Sequence, residues 1–388
     1  MKFQLTEEQR RLRDEVRRYA QDVIKPQAIE LDHAEEHPTE ILSDLSDRGY
    51  TGLTLPEEYG GMGEGMLELA IITEELSAVL MPVASALALH LGVAEAIQRF
   101  GTTEQRDTYL PSMATYDTVG ALGLSEENAG SDKSGIETTA EREGDEWVLN
   151  GHKQWITNFL HADYVLTYAK TGPEREGPHN ITAFLVPTDE FDVQETWDTF
   201  GARTVKSPRA TLSDVRVPDQ QRIGAVGEAY VQRKNLQTGV NVPARGVGIA
   251  RAALDDTVAY TSQREQFDHS IGDFQGVKWT VGEMAQRVDT ARLLTLRAAD
   301  RADRGHDTAR EFSMAKVLAT QAAVDNANEA MQLHGGIGYT TETHVERYLR
   351  DARLLTIAGG PNEGHKDTVG DEVYAEHPRG ASDHDRDI

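Results

Sequence analysis

The sequence has no cysteine among its 388 residues. That excludes disulfides, thiolate metal sites and a cysteine nucleophile together. Lysine is scarce beside arginine, with 10 Lys against 29 Arg. The opening MKFQLTEEQRRLRDEV lacks the apolar stretch of a secretory signal. No apolar run is expected to approach the ~18 residues that cross a bilayer. These absences predict a cytoplasmic chain with no membrane partner. There is no Walker loop and no H-E-x-x-H, and the 13 histidines show no metal-ligand spacing, so no metal is expected. The clusters G-G-M-G and G-G-I-G lack the spacing of a dinucleotide fingerprint.

Acid is what the chain has in excess. Asp and Glu number 65 against 39 Lys and Arg, a formal charge of −26. Such a surface repels nucleic acid and anionic lipid. Molar salt shortens the Debye length to about 3 Å and would relieve the self-repulsion. The acid-rich, Lys-poor usage therefore suggests a halophilic host.

The length predicts two or three packed domains. An N-terminal all-α domain is expected over 1–115. It opens on a capping box at Thr6-Glu7-Glu8-Gln9 and contains helical runs at 66–80 and 83–100. The middle, 116–225, turns to six short β-branched or alternating runs with a hairpin turn between Glu143 and Glu146, predicting an antiparallel barrel or sandwich. From 226 to 388 the helical period returns. Residues 242–264, 275–304 and 309–334 are long, Ala-rich and amphipathic, as in a helical bundle, and a polar tail follows from Pro378. Helices, then strands, then helices make an α+β multidomain chain, not the alternation of a Rossmann domain.

Five strings carry the chemistry. Leu122-Gly123-Leu124-Ser125-Glu126 runs into Asn128-Ala129-Gly130-Ser131-Asp132. Gln154-Trp155-Ile156-Thr157-Asn158 follows about thirty residues on. Then come Arg264-Glu265-Gln266-Phe267 with Phe274-Gln275, Gln332-Leu333-His334-Gly335-Gly336, and Arg350-Asp351-Ala352. Singly each has a bland reading: Trp155 as core, Arg264 as a surface ion pair, Gly335-Gly336 as a helix C-cap. In this order and spacing they resemble the acyl-CoA dehydrogenase family, over roughly residues 3 to 370.

The resemblance implies FAD as cofactor, an acyl-CoA substrate and an electron-transfer flavoprotein as electron acceptor. It implies that Leu122, Leu124 and Ser125 hydrogen-bond the flavin ring, with Ser131 in the same loop. Trp155 would cover the ring and Thr157 would bond near its reactive edge. Arg264 and Phe267 would meet the pyrophosphate region. Gln275, Gln332, Gly335 and Gly336 would hold the adenosine end, and Glu363 would touch the cofactor. In the family part of that set comes from a neighbouring subunit, so a homodimer or homotetramer is implied.

The pattern breaks at the catalytic base. The resemblance expects Glu after the Arg350-Asp351-Ala352 string, and Gly359 stands there, with Ala358 before it and Pro361 after. The alternative base position of some branches is Thr238, followed by Gly239. Val205-Lys206 and Asp268-His269 also depart from the family pattern. Glu126, Glu127, Glu363 and Asp268 are the carboxylates weighed as substitutes, each with a more ordinary role. Three readings stay open: a dehydrogenase with a displaced base, another acyl-CoA flavin reaction such as desulfination, and a non-catalytic flavoprotein subunit.

Overall fold

The computed structural model describes residues 4–172 and 180–377. The polar stretch from Pro378 lies outside the described residues.

Five helices open the chain: α1 Glu7–Tyr19, α2 Ala28–Ala34, α3 Thr39–Asp47, α4 Met66–Phe100 and α5 Thr103–Ala114. The capping box forms. Thr6 Oγ1 accepts from the Gln9 amide at 3.1 Å, and the Gln9 side chain accepts from the Thr6 amide at 2.9 Å. The two runs expected at 66–80 and 83–100 are the halves of α4. They meet at Leu80, whose φ of −152° is non-helical, two residues before Pro82. Proline removes an intrahelical hydrogen bond and clashes with the preceding turn, which explains the break.

One expectation is corrected here. An 18-residue window of α4 reaches a mean hydropathy of 1.9, apolar enough to span a bilayer by composition, but 89% of it is buried inside the protein. It is a kinked core helix.

Among the described residues the middle carries eight strands rather than six: β1 Gly120–Gly123, β2 Thr139–Glu143, β3 Glu146–Gln154, β4 Tyr164–Lys170, β5 Ile181–Pro187, β6 Asp192–Thr196, β7 Pro208–Pro218 and β8 Arg222–Ile223. The order is β6-β7-β3-β2-β4-β5-β8, with β1 beside β4. Most pairs are antiparallel, as expected. The sheet is mixed, however, because β1 pairs with β4 in parallel, Leu122 opposite Leu166. The predicted hairpin closes with Glu143 opposite Glu146, and Gly144 at φ +70° supplies the left-handed residue of its two-residue turn.

The C-terminal part comprises α6 Ala229–Arg233, α7 Asn241–Gln263, a small hairpin of β9 Glu265–Gln266 and β10 His269–Ser270, then α8 Gln275–Asp303, α9 Ala309–His334, α10 Val345–Leu355 and α11 Asn362–Glu376. Glycine sets how closely α7 packs. A Cβ on Gly246 would stand 2.7 Å from the Ala319 carbonyl of α9, and one on Gly248 would stand 2.4 Å from the Glu74 carbonyl of α4. Along the facing side of α9, Ala315, Ala319, Ala323, Ala327 and Ala330 are all buried. Arginine ties the helices further. Glu75 of α4, 2% exposed, accepts from Arg17 of α1 at 2.8 Å and from Arg251 of α7 at 2.6 Å. Glu74 beside it accepts from Arg292 of α8 at 2.8 Å. Removing one partner of such a buried set costs about 3–5 kcal/mol.

Candidate active site

The first group of candidate residues sits where β1 leaves the sheet. Leu122 is half-buried and Leu124 fully buried against the core that spans α5, β4 and β5. Ser125 follows, half-buried, and its carbonyl accepts from the Gln154 amide at 2.9 Å. That bond joins the end of β1 to the end of β3 and delivers Trp155 and Thr157 beside it. Glu126 is fixed in place. Its carboxylate meets Lys153 Nζ at 2.5 Å and accepts from the Thr138 amide at 3.2 Å and from the Glu137 amide. Burial pushes the Glu126 carboxyl up, but the Lys153 ammonium and these donors outweigh it and hold it below its usual value. Glu126 is therefore an anchor for the loop, and Glu127 beside it pairs with Arg209 at 2.6 Å. Ser131 lies exposed further along the same loop.

Trp155 is unusual. Its φ is +60°, a region that bulky residues seldom enter, and its side chain is 51% exposed. The ring stacks on Trp197, centroids 5.0 Å apart at 23°. The strand end thus presents a fixed aromatic face to the outside.

The second group lies at one end of the helical bundle. Arg264 closes α7, Gln275 opens α8, and Gln332, Gly335 and Gly336 close α9. The ends of α7 and α9 are held together by Tyr260 stacked on His334, centroids 4.4 Å apart. Gly335 turns the chain at φ +64°. Arg264 is exposed and forms no ion pair among the described residues. Phe267 and Asp268 are the two turn residues of the β9–β10 hairpin, both left-handed at φ +56° and +68°. Asp268 thus adopts the conformation for which glycine is the usual choice. It sits on this exposed turn, not beside the base position. Phe267, Trp279 and Tyr339 leave large apolar surface uncovered at this end. No hydrogen bond, ion pair or ring contact joins the two groups within the chain, among the described residues.

The third region surrounds Gly359. Its φ is +72°, and a Cβ built on it would stand 3.1 Å from Val242 Cγ2 in the first turn of α7. The other candidate base position is close by. A Cβ on the neighbouring Gly239 would touch the Phe312 ring at 3.5 Å, and Phe312 meets His365 edge-on at 5.3 Å. His365 in turn donates from Nε2 to the Gly359 carbonyl at 3.1 Å, and its Nδ1 lies 3.1 Å from Ser313 Oγ. Lys316 Nζ, fully buried, donates to the Gly360 carbonyl at 2.6 Å and to Asn362 Oδ1 at 2.8 Å. Burial pushes the Lys316 ammonium down to about 8, opposed by Glu363. Glu363 itself is exposed in the first turn of α11. Thr238 is buried. Its amide and that of Gln237 donate to the Glu95 carboxylate at 2.9 and 2.8 Å, and Arg99 also meets Glu95, at 3.2 Å. That carboxylate is fully engaged.

With this geometry in hand, the comparisons decide the family. The N-terminal, middle and C-terminal domains of acyl-CoA dehydrogenases match residues 6–117, 121–215 and 229–374 in that order. The chain belongs to the acyl-CoA dehydrogenase family. An acyl-CoA dehydrogenase of Bacillus subtilis is 35% identical over 364 residues, covering 92% of this chain and 96% of the relative. Butyryl-CoA dehydrogenase of Megasphaera elsdenii superposes with a TM-score of 0.92 at 32% identity, over 96% of this chain and all of that one. The FAD complex of PigA does so with a TM-score of 0.91 at 28% identity, over 97% and 100%.

In this member of the acyl-CoA dehydrogenase family, the fifth string is a structural clamp. Arg350 binds Asp32 of α2 and Glu346, the latter at 2.6 Å, and Asp351 accepts from the Ala202 amide at 2.8 Å. Burial pushes the Asp351 carboxyl up to about 6 against the pull of Arg347. The string thus docks the bundle onto the first helices and onto the loop before β7. Sequence reading missed Lys316, His365, Phe312 and Val242, which surround the candidate base position. One signal existed: Ser313 and Lys316 fall on the buried Ala face of α9, where a lysine in a chain of 10 is out of place.

Proposed function

We propose that this chain binds FAD and oxidises an acyl-CoA thioester across its Cα–Cβ bond, with an electron-transfer flavoprotein taking the electrons. One observation carries the reading: the chain presents two separate, exposed surfaces that the family's cofactor strings build, a strained aromatic face at Trp155 and the arginine-bearing end of the bundle at Arg264. These residues fit the cofactor. Trp155 is exposed where a core tryptophan would be covered, and Arg264 is a surface cation with no acidic partner among the described residues. Leu122, Leu124, Ser125, Trp155 and Thr157 would hold and cover the ring, and Ser131 would border it. Arg264 would meet the pyrophosphate as a charge-assisted pair, beside Phe267. Gln275, Gln332, Gly335 and Gly336 would hold the adenosine end, and Glu363, beside Lys316, would touch the cofactor elsewhere. FAD, once bound, supplies the hydride acceptor.

Because the two surfaces do not meet within one chain, a second copy would bring one bundle end to the other's aromatic face. The uncovered Phe267, Trp279 and Tyr339 support that reading, which makes the protein a homodimer or homotetramer. The purified protein is expected to be yellow, to release about one FAD per chain on denaturation and to scatter light as a dimer or tetramer. Colourless protein that takes up no flavin contradicts the reading.

Gly359 and Thr238 leave no carboxylate at either base position. The proton acceptor is therefore atypical, and dehydrogenation at the wild-type site is slow. The same observation favours one second reading: an acyl-CoA reaction on this scaffold that needs no Cα base, such as desulfination. Electrons appearing in the flavin on anaerobic mixing with saturated acyl-CoAs separate the two, since only dehydrogenation reduces it that way.

A further inference from the structure

The base position lies in a region with two buried cations, Lys316 and Arg245. Lys316 is satisfied by two carbonyl-type oxygens within 2.8 Å. Arg245 is not satisfied. It is 5% exposed, forms no ion pair among the described residues, and donates only to Ser85 Oγ of α4, while its Nε has no acceptor. Burial alone acts on it, pushing the guanidinium down to about 10, with no acid to oppose that shift. A buried charge without a counter-ion is costly. In a chain of charge −26, a counter-ion would have been easy to provide.

Its location says what the charge faces. The second half of α4 runs antiparallel to the start of α7. Ser85 meets Arg245 at one point and Gly92 approaches Thr238 at the other. Val242, which touches the Gly359 position, is one helical turn before Arg245. Residues so spaced carry their Cβ atoms about 5–6 Å apart on one face. An acyl group whose Cα lies within reach of a side chain at Gly359 would therefore run past Val242 toward Arg245.

We propose that Arg245 is a specificity-determining residue that receives a carboxylate at the far end of the acyl group, so that the preferred substrate is a short dicarboxylic acyl thioester of about four to six carbons. The proposal rests on the acyl-CoA reading above and adds the substrate class. The missing counter-ion arrives with the substrate. Neutral acyl chains of equal length pay the cost of leaving the guanidinium unpaired.

The test is anaerobic calorimetric titration of the flavin-loaded protein with glutaryl-CoA and with pentanoyl-CoA, which has the same chain length without the charge. The wild type is expected to bind glutaryl-CoA about ten- to a hundred-fold more tightly, the range of one charge-assisted hydrogen-bonded pair. Arg245→Met should abolish the preference, and Arg245→Lys should keep part of it. Both keep the buried volume filled, and unchanged flavin content with cooperative melting at or above the wild-type temperature checks that they fold. Equal binding of the two thioesters by the wild type, or a preference that Arg245→Met retains, overturns the proposal. So does an inorganic counter-ion, seen as equal binding together with a chloride-dependent melting temperature that Arg245→Met loses. If neither thioester binds, the acyl-CoA reading fails as well.

Discussion

His365 donates from Nε2 to the carbonyl of Gly359 across 3.1 Å, and this bond fixes the backbone at the candidate base position. The ring is held neutral. Burial pushes its pKa below the usual value, Lys316 adds to the shift, and the bond to Gly359 only partly opposes it. Its other nitrogen then accepts from the Ser313 hydroxyl. The loop so held carries Gly359 in the left-handed region, with Val242 close against it.

Gly359→Ala should therefore lower stability by about 1–2 kcal/mol, the cost of a Cβ at positive φ, with crowding by Val242 in addition. Thermal unfolding checks this. Trimming Val242→Ala in the same chain should return the crowding part only.

Arg264→Ala should weaken FAD retention without unfolding the bundle, since Arg264 is exposed and pairs with no acid among the described residues. Loss of one charge-assisted pair is about 1.5–3 kcal/mol, roughly ten-fold or more in affinity. Gel filtration followed by the absorbance ratio of flavin to protein measures it. Unchanged retention would place the pyrophosphate elsewhere.

Acid should destabilise the protein through His90. The ring is fully buried, its Nε2 is 2.9 Å from the Met113 carbonyl, and its Nδ1 accepts from the Gly120 amide at 3.3 Å. Burial pushes its pKa from 6.5 to about 4. The unfolded chain thus binds this proton more readily than the folded one. Stability from the neutral ring is full above pH 6.5 and is lost as pH falls toward 4, on the order of 3 kcal/mol in all. His90→Gln, which keeps a donor and an acceptor, should flatten that part of the fall in melting temperature over this pH range.

Molar KCl should raise the melting temperature, because it screens the repulsion of 65 acidic residues against 39 basic ones. A midpoint that falls steadily from low to molar KCl would contradict the halophilic reading.

Much of the fold was legible. Helices α7, α8 and α9 lie within a residue of the runs at 242–264, 275–304 and 309–334, because Ala-rich amphipathic stretches end at clear breaks. Pro82 announced the kink of α4. The same helix misled on hydropathy, since its Ser, Pro and His residues interrupt the run by eye yet leave the mean high. β6 reads Asp-Val-Gln-Glu-Thr with every residue exposed, and β8 has two residues, so neither shows an alternating pattern. Parallel pairing of β1 with β4 is a tertiary choice that no local pattern encodes. At the site, the strings marked Trp155, Arg264 and Gly359, each in sequence register. Val242, Phe312 and His365 were invisible because they come to this region only through the packing of α7, α9 and α11, and Lys316 showed only as a lysine on the Ala face of α9.

The rate at which acyl-CoA bleaches the flavin under anaerobic conditions, wild type against Gly359→Glu, tests the central claim most directly. A positioned base is worth about 10²–10⁴-fold. The wild type should bleach slowly with its best acyl-CoA, and Gly359→Glu should bleach faster toward that range, less whatever the strained backbone and Val242 take away. Fast bleaching by the wild type that Gly359→Glu does not improve would show that Gly359 is not the vacant base position and would contradict the account.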